Sequence, residues 1–383
     1  VKITASAGEL AGALALAAAL ADDARTRKIQ ALGAIRLTAI DAGVEIAGNV
    51  LDHALTLTAP ATIETAGALA LPGGRLAALA AGCPRESQIE IAADGTGARV
   101  LCGRSRFRLP AIPQDHLPAP LSLKTETERV ELAREEALKL FAQPLFAVTT
   151  EETRYYLNGV FLHDIDEGLA AVGTDGQRLC RVIIRGVVGL SRDRGLIVPR
   201  AAVKIIIKLL GDKSCERIVL RHSATLFAVE AARFAFVSKL VDGTFPDYAR
   251  LLPSCADTAV TVAKADLAPA VERIAAVVDP AVKTSMQMVG LQWSSDESAL
   301  HLRVPGHDDL ADDVIDAEAA GVGKVAMRIL HLRDLIDELP GARIRLDTNG
   351  GMGPILVTNP DNPHALAVQM PCVWPFEKSE AAA

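Results

Sequence analysis

One short stretch gathers most of the side chains that could hold a cation: His307, Asp308, Asp309, Asp312, Asp313 and Asp316. Clustered carboxylates bind hard divalent ions, and a bound ion can activate water for hydrolysis. The spacing matches no EF-hand loop, however, and charges of this kind also blunt an exposed strand, so a solvated acidic edge is expected. Other catalytic patterns are missing. The chain has no Gly-x-x-x-x-Gly-Lys-Ser/Thr loop, no His-Glu-x-x-His pair and no Gly-x-Ser-x-Gly elbow. Gly350-Gly351-Met352-Gly353 is glycine-rich, but Pro354 follows it and no helical pattern comes next, which predicts a turn and not a phosphate cradle. The six cysteines, at 83, 102, 180, 215, 255 and 372, form no Cys-x-x-Cys and have no His at zinc-finger spacing. Scattered reduced thiols in a cytoplasmic protein are expected. No catalytic residue, cofactor or metal is predicted.

Binding chemistry is better represented. Arg200, Lys204 and Lys208 recur at i, i+4, i+8, which places three cations on one helix face. Such a stripe is either an ordinary solvated face or a contact to a nucleic-acid backbone, where cations displace counterions without reading sequence. Arg75 and Arg328 are weaker counterparts. Arg154 with Tyr155 and Tyr156 is a second candidate; the adjacent tyrosines are predicted on a strand, one ring in the core and the other free for DNA. Thr174-Asp175-Gly176-Gln177-Arg178 separates two β-prone runs. Its Asp-Gly pair predicts a hairpin with a two-residue type I′ turn.

Composition limits the setting. The chain has 383 residues, 50% of them hydrophobic and 23% charged, enough to fill two or three domains with real cores. The net charge of −7 argues against a simple basic DNA-binding domain but leaves room for a local basic surface on an acidic body. The run Leu10 to Ala21 has the apolar character of a signal-peptide core, but only Lys2 is basic and Glu9 stands at its entrance. No run reaches the roughly 18 apolar residues of a membrane span.

A threefold repeat accounts for that run. Each block is predicted to open with an amphipathic helix, carried by Leu10, Ala13, Leu14 and Ala17, then Leu138, Phe141, Ala142 and Leu145, then Leu267, Ala270, Val271 and Ile274. Glu9, Glu135 and Asp266 stand near the three starts, where a helix favours negative charge. A second helix begins near Pro72, Pro199 and Met327, with apolar stripes at Leu76, Leu79, Ala80 and Cys83, at Val203, Ile206, Ile207 and Leu210, and at Ile329, Leu332, Ile336 and Leu339. Strand-like runs at Ile89, Arg217 and Arg343 follow. The expectation is three copies of one α+β domain, 1–126, 127–257 and 258–383, joined at Pro-rich connectors.

The hairpin, Tyr155-Tyr156-Leu157-Asn158-Gly159, Ser238 to Tyr248 with Arg250-Leu251-Leu252-Pro253, and Met370-Pro371 together resemble the bacterial sliding clamp, the β subunit of DNA polymerase III. The resemblance runs from about residue 1 to about 374. It implies three repeated clamp domains, each of two helices on antiparallel sheets, in a homodimer closed head to tail into a ring around duplex DNA. It implies a non-enzymatic accessory subunit of a DNA polymerase, cytoplasmic, binding DNA without sequence preference, and contacting polymerase, clamp loader and repair proteins through short peptides. By resemblance the peptide pocket maps onto Leu157, Thr174, Gly176, Gln177, Arg178, Leu179, Pro246, Arg250, Leu251, Val368, Met370, Pro371 and Cys372. The dimer contact maps onto Phe107 and Leu109 on one side and Val277 and Val278 on the other. The DNA-facing set is Arg75, Arg154, Tyr155, Tyr156, Arg200, Lys204, Lys208 and Arg328. The tail departs from the family pattern: Cys372 replaces a Met, Val373 a basic residue, and Trp374 adds an apolar surface that either covers the resulting gap or anchors a partner. A specialised clamp paralogue, such as an inhibitor-tolerant copy, and a metal-dependent hydrolase using the 308–316 carboxylates are the alternatives.

Overall fold

The computed structural model describes residues 1–21, 29–123, 129–190, 194–253, 256–278, 281–305 and 310–374. Cys255, His307, Asp308, Asp309 and the tail beyond Trp374 lie outside them. Spatially the chain divides into two compact units, Val1–Leu138 with Val187–Asp242, and Lys139–Gly186 with Gly243–Ala383.

The repeat is present as an α+β pattern. Helices α1 (Ala7–Ala19), α3 (Arg134–Ala142) and α5 (Lys264–Ala276) alternate with α2 (Gly73–Ala81), α4 (Arg200–Leu209) and α6 (Ile329–Glu338). The expected stripes are buried in α5 and α6. In α3 the buried stripe is Ala137, Leu140 and Phe141, and Leu138 and Leu145 are only half-buried. The α-helix stops at Ala142 and a 3-10 turn, Gln143–Ala147, takes over at Pro144, which rotates the last residues off the predicted face. Pro72 and Pro199 stand one position earlier than expected, as N-cap residues.

The helices do not open the blocks. A short strand precedes each: Lys2–Ser6, Arg129–Ala133 and Thr258–Ala263. Each pairs antiparallel with the strand that follows the second helix of its block, namely Gln88–Asp94, Arg217–His222 and Arg343–Thr348. At five or six residues these strands were too short to stand out beside the helical periodicity that follows.

In the first unit a five-stranded sheet has the order Thr62–Thr65, Lys2–Ser6, Gln88–Asp94, Gly97–Cys102, Ser105–Pro110. An eight-stranded sheet runs Arg129–Ala133, Arg217–His222, Leu226–Ala231, Phe234–Lys239, His53–Ala59, Gly43–Asn49, Ala34–Ile40, Ala68–Pro72. In the second unit one sheet runs from Gly159–Ile165 through Gly168–Thr174, Arg178–Arg185, Asn362–Gln369, Ile355–Asn359, Arg343–Thr348 and Thr258–Ala263 to Glu318–Ala320. A four-stranded sheet has the order Leu310–Asp316, Ala299–Pro305, Met288–Ser294, Val322–Arg328.

Trp293 is the largest fully buried side chain of the core under α5 and α6. Its indole N–H donates to Thr258 Oγ1 at 2.9 Å, so the one polar atom of the ring is satisfied. The ring lies flat on Gly323, where a Cβ would come within 2.3 Å of Cε2 and Cζ2. Gly323→Ala is therefore expected to lower unfolding stability by about 1–3 kcal/mol, the usual cost of overpacking, read from urea denaturation midpoints.

Candidate functional site

The Asp-Gly hairpin forms, with Thr174 opposite Leu179, but its turn is not the expected type I′. Gly176 has φ +86°, while Asp175 is not in the left-handed region. Side chains build the turn instead. Asp175 Oδ1 accepts the N–H groups of Gln177 and Arg178 at 2.8 and 3.0 Å. Thr174 Oγ1 donates to the Arg178 carbonyl at 2.6 Å and accepts from Gly176 N–H at 3.1 Å. An acidic side chain that returns to its own backbone replaces the backbone strain of a two-residue turn.

Arg178 anchors this turn to its surroundings, with its side chain only 11% exposed. Nε lies 3.1 Å from Asp175 Oδ2, Nη1 pairs with Asp334 on α6, and Nη2 donates to the Phe146 carbonyl at 2.8 Å. The guanidinium also lies 5.4 Å from the centre of the Phe146 ring. Phe146 can reach it because Gly173 carries no side chain: a Cβ there would stand 2.2 Å from the Pro144 carbonyl oxygen. The 3-10 turn Gln143–Ala147 therefore lies directly on the strand Gly168–Thr174.

The C-terminal strand joins the other side of the hairpin. Arg178 pairs with Gln369 and Leu179 with Val368. Met370 N–H donates to the Gln177 carbonyl at 2.8 Å, and Cys372 N–H to the Ala326 carbonyl at 2.7 Å. Gln369 is buried and its amide donates to Met370 O at 2.8 Å. Leu179, Val368 and Pro371 are buried, Gly176, Gln177 and Met370 are exposed, and burial raises the half-buried Cys372 thiol above its ordinary pKa. Past Val373, which is exposed, the half-buried Trp374 ring lies 5.5 Å from Lys324 Nζ.

Two further segments border the hairpin. Glu152–Leu157 is a 3-10 turn and not the expected strand. Its two tyrosine rings meet edge to face at 5.7 Å; Tyr155 is exposed and Tyr156 half-buried, so neither is core. Leu157 closes the turn as its buried residue. Arg154 pairs with Glu151 at 3.1 Å and donates to the Asp175 carbonyl at 2.9 Å. A Cβ at Gly243 would sit 3.0 Å from Tyr156 Cβ, so the second segment passes close by. It ends in the 3-10 turn Tyr248–Leu251, where Leu251 is exposed and Arg250 is held at 2.7 Å by Asp247. Pro246 lines a separate cavity of about 440 Å³ with Phe161, His163 and Arg181. There Phe161 stacks on Phe245 at 4.6 Å and His163 meets Tyr248 Oη at 2.9 Å.

The remaining candidates fall as follows. Lys204, Lys208 and Arg75 are exposed on α4 and α2, and Arg200 is half-buried at the start of α4. Arg328 is the N-cap residue of α6. Phe107 and Val277 are exposed, Leu109 is buried, and Val278 packs on the core. The acidic stretch is an ion-paired sheet edge where it is described: Asp312 binds Arg303 at 3.1 Å and Asp313 binds Arg273 at 2.7 Å. Among the described residues no group of three or more His, Cys, Asp or Glu could hold a metal. The five described cysteines are free. Gly350 and Gly351 form the expected turn with φ +75° and +61°. No helix among the described residues is long and apolar enough to cross a membrane.

Asp334, Phe146, Gln369 and His331 escaped the sequence. Gln369 left a trace, a lone amide closing the apolar run Ala365 to Val368. His331 lies one turn before Asp334 on α6, 6% exposed, and Nδ1 has no hydrogen-bond partner among the described residues. Burial, and then the Arg178 cation, push its pKa below the ordinary 6.5. A lowered folded pKa means that the unfolded chain takes up the proton first. The stability tied to His331 is therefore complete above pH 6.5 and is lost as pH falls below it. Burial lowers His53 and His163 in the same sense. Urea midpoints should fall between pH 7.5 and 5.5, and His331→Gln should flatten that fall.

Residues 1–121 match the family model of the DNA polymerase III beta subunit N-terminal domain, and residues 131–247 that of its central domain. The beta sliding clamp of Caulobacter vibrioides is 29% identical over 356 residues, covering 91% of this chain and 93% of its own. That of Vibrio cholerae is 26% identical over 340 residues, 88% of each. Among solved structures, the sliding clamp of Bartonella birtlesii, bound to griselimycin, superposes with a TM-score of 0.87 at 27% identity, covering 97% of this chain and 100% of that one. The polymerase III beta subunit of Caulobacter crescentus gives 0.85 at 27% identity, covering 98% and 100%. The chain belongs to the DNA polymerase III beta subunit family, the sliding clamps, and is by that membership a non-catalytic processivity factor of three-domain clamp architecture.

Proposed function

We propose that two copies of this chain close head to tail into a ring around duplex DNA, each copy built of repeats 1–126, 127–257 and 258–383. The observation that carries the reading is a strand junction made twice within the chain. The last strand of the second repeat, Phe234–Lys239, pairs antiparallel with His53–Ala59 of the first. The last strand of the third, Asn362–Gln369, pairs in the same way with Arg178–Arg185 of the second. Each time the partner is the third strand after the first helix of its repeat. By the same rule the last strand of the first repeat, Ser105–Pro110, has Leu310–Asp316 of the third as its counterpart. Both are terminal strands of their sheets, and a terminal strand offers an unpaired row of N–H and C=O groups. A contact of two different surfaces that closes after two copies gives a ring and not a fibre. Phe107 and Leu109 lie on the first of these strands. The second becomes the main partner surface, with Val277 and Val278 beside it.

In this reading Arg75, Arg200, Lys204, Lys208 and Arg328 supply weak, sequence-independent attraction to the DNA backbone, with Arg154, Tyr155 and Tyr156 as a further contact. The ring tethers the polymerase and raises its effective concentration at the primer end, in the cytoplasm where replication proceeds. The chain should scatter light as twice the mass of one chain, stay on nicked circular DNA and leave once the circle is linearised. Phe107→Ala should weaken the dimer by about 3–5 kcal/mol if the ring is fully buried on closure. A strictly monomeric chain, or one that leaves the intact circle, would overturn the ring.

The hairpin and the Val368–Cys372 strand end, bordered by Leu157 and Leu251, are read as the pocket for short peptides of polymerase, loader and repair proteins. Exposed Met370 and Leu251 supply apolar surface for a Leu or Phe anchor, and Gln177 a hydrogen-bonding tip. Truncation before Met370 should leave the dimer intact and abolish binding of a labelled polymerase peptide in fluorescence anisotropy. Retained binding would remove the pocket assignment.

A further inference from the structure

The second helices of the three repeats can be laid over one another by what they bury. Ala202, Val203 and Ile206 of α4 match His331, Leu332 and Leu335 of α6, and Leu76, Ala77 and Ala80 of α2, all of them buried. In this register the exposed stripe of α4 has definite counterparts. Lys204 falls on Arg333 of α6 and on Ala78 of α2, and Lys208 falls on Asp337 and on Gly82. Arg75 of α2 matches Ala201, one place off the stripe. At these two positions the first repeat is therefore uncharged, the second carries two cations, and the third carries one cation and one carboxylate.

Arg333 is not a second Lys204. α5 and α6 share one core, and Glu272 of α5 grips the Arg333 guanidinium with both carboxylate oxygens. Nε donates to Oε1 and Nη2 to Oε2, each at 2.7 Å. This is the fork-to-fork geometry that makes arginine–carboxylate pairs the strong ones. The same fork is what would otherwise meet a phosphate. Lys204 and Lys208, by contrast, are exposed, and no ion pair among the described residues engages them.

The carboxylate is particular to the third repeat. Leu267, Val271 and Ile274 of α5 match the buried Leu10, Leu14 and Ala17 of α1, which sets Glu272 on Ala15. Ala270 and Val271 match the buried Leu140 and Phe141 of α3, which sets it on Ala142. The remaining cations of α5 are engaged as well. Arg273 pairs with Asp313 at 2.7 Å, and Lys264 Nζ donates to the carbonyls of Ile336 and Leu339 at the end of α6.

We propose, resting on the ring reading above, that the hold on duplex DNA is concentrated on α4 of the second repeat. Glu272 silences α6 of the third by occupying Arg333, the cation that stands where α4 has Lys204. Asp337, in the place of Lys208, adds repulsion of the phosphates. The consequence is a loose grip. Each phosphate contact that forms must break before a ring can advance, so a helix pair that declines contact favours sliding.

The test titrates the full chain against a short labelled linear duplex by fluorescence anisotropy over a range of salt. Lys204→Gln should flatten the dependence of log affinity on log salt by about 0.9, the value of one phosphate contact. Glu272→Gln frees Arg333 and should steepen it by about 0.9, a further loss of about threefold in affinity between about 50 and 200 mM salt. Adding Arg333→Gln to Glu272→Gln should restore the wild-type slope. Asp361→Asn takes the same charge from an ion pair outside the helices, that with Arg343 at 2.8 Å, and should leave the slope unchanged. An unchanged slope in Lys204→Gln or in Glu272→Gln, or an equal steepening in Asp361→Asn, would overturn this inference and leave the ring standing. A dimeric wild-type chain with no salt-dependent hold on the duplex would overturn both.

Discussion

Each repeat depends on one closure, the antiparallel pairing of its short opening strand with the strand that follows its second helix. That pairing spans more than eighty residues in every copy, as in Ala5 with Ile89 and Val262 with Ile344. Once it is made, the intervening chain has both helices on the same sheets, and their apolar stripes must share a core. Leu267, Val271 and Ile274 of α5 then pack with Leu332, Leu335 and Ile336 of α6 around Trp293. Within each repeat the last strand ends that repeat's own run of hydrogen-bonded strands, as Phe234–Lys239 does beside Leu226–Ala231 and Asn362–Gln369 beside Ile355–Asn359. Such ends are where strands from different repeats meet.

The hairpin illustrates how a surface turn can be held by deep contacts. Asp175 shapes the backbone, and Arg178 ties it to α6 through Asp334 and to the Phe146 carbonyl. Arginine suits the task because its planar fork can satisfy several acceptors at once, where lysine offers a single flexible ammonium. The result is a turn whose exposed residues, Gly176 and Gln177, rest on a fixed base. A rigid base lowers the ordering cost of docking a flexible partner.

Asp312 and Asp313 of Leu310–Asp316 are ion-paired with Arg303 and Arg273, and the buried Cys180 thiol is pushed up to about 12 by burial, far from a nucleophile's range. Processivity is a matter of effective concentration and not of bond chemistry. The residues that matter are therefore those that fix strand edges and turns.

The repeat, the α+β class and the place of the hairpin were legible in the sequence, because these are local. Helical periodicity in Leu267 to Ile274, the spacing of the second helices and the Asp-Gly pair are all carried by residues within a few positions of one another. The sequence pointed also to Met370 and Pro371 through resemblance. What holds the hairpin depends on contacts between residues far apart in the chain. Asp334 is 156 residues from Arg178, and no local pattern links them. The opening strands escaped because their pairing partners lie beyond any window of periodicity. Tyr155 and Tyr156 lie in a 3-10 turn instead of the predicted strand, and from that turn Arg154 donates to the Asp175 carbonyl. The short-range preferences of two aromatic residues are worth little against such a contact, since β-propensity measures fit to neighbours that only the folded chain supplies.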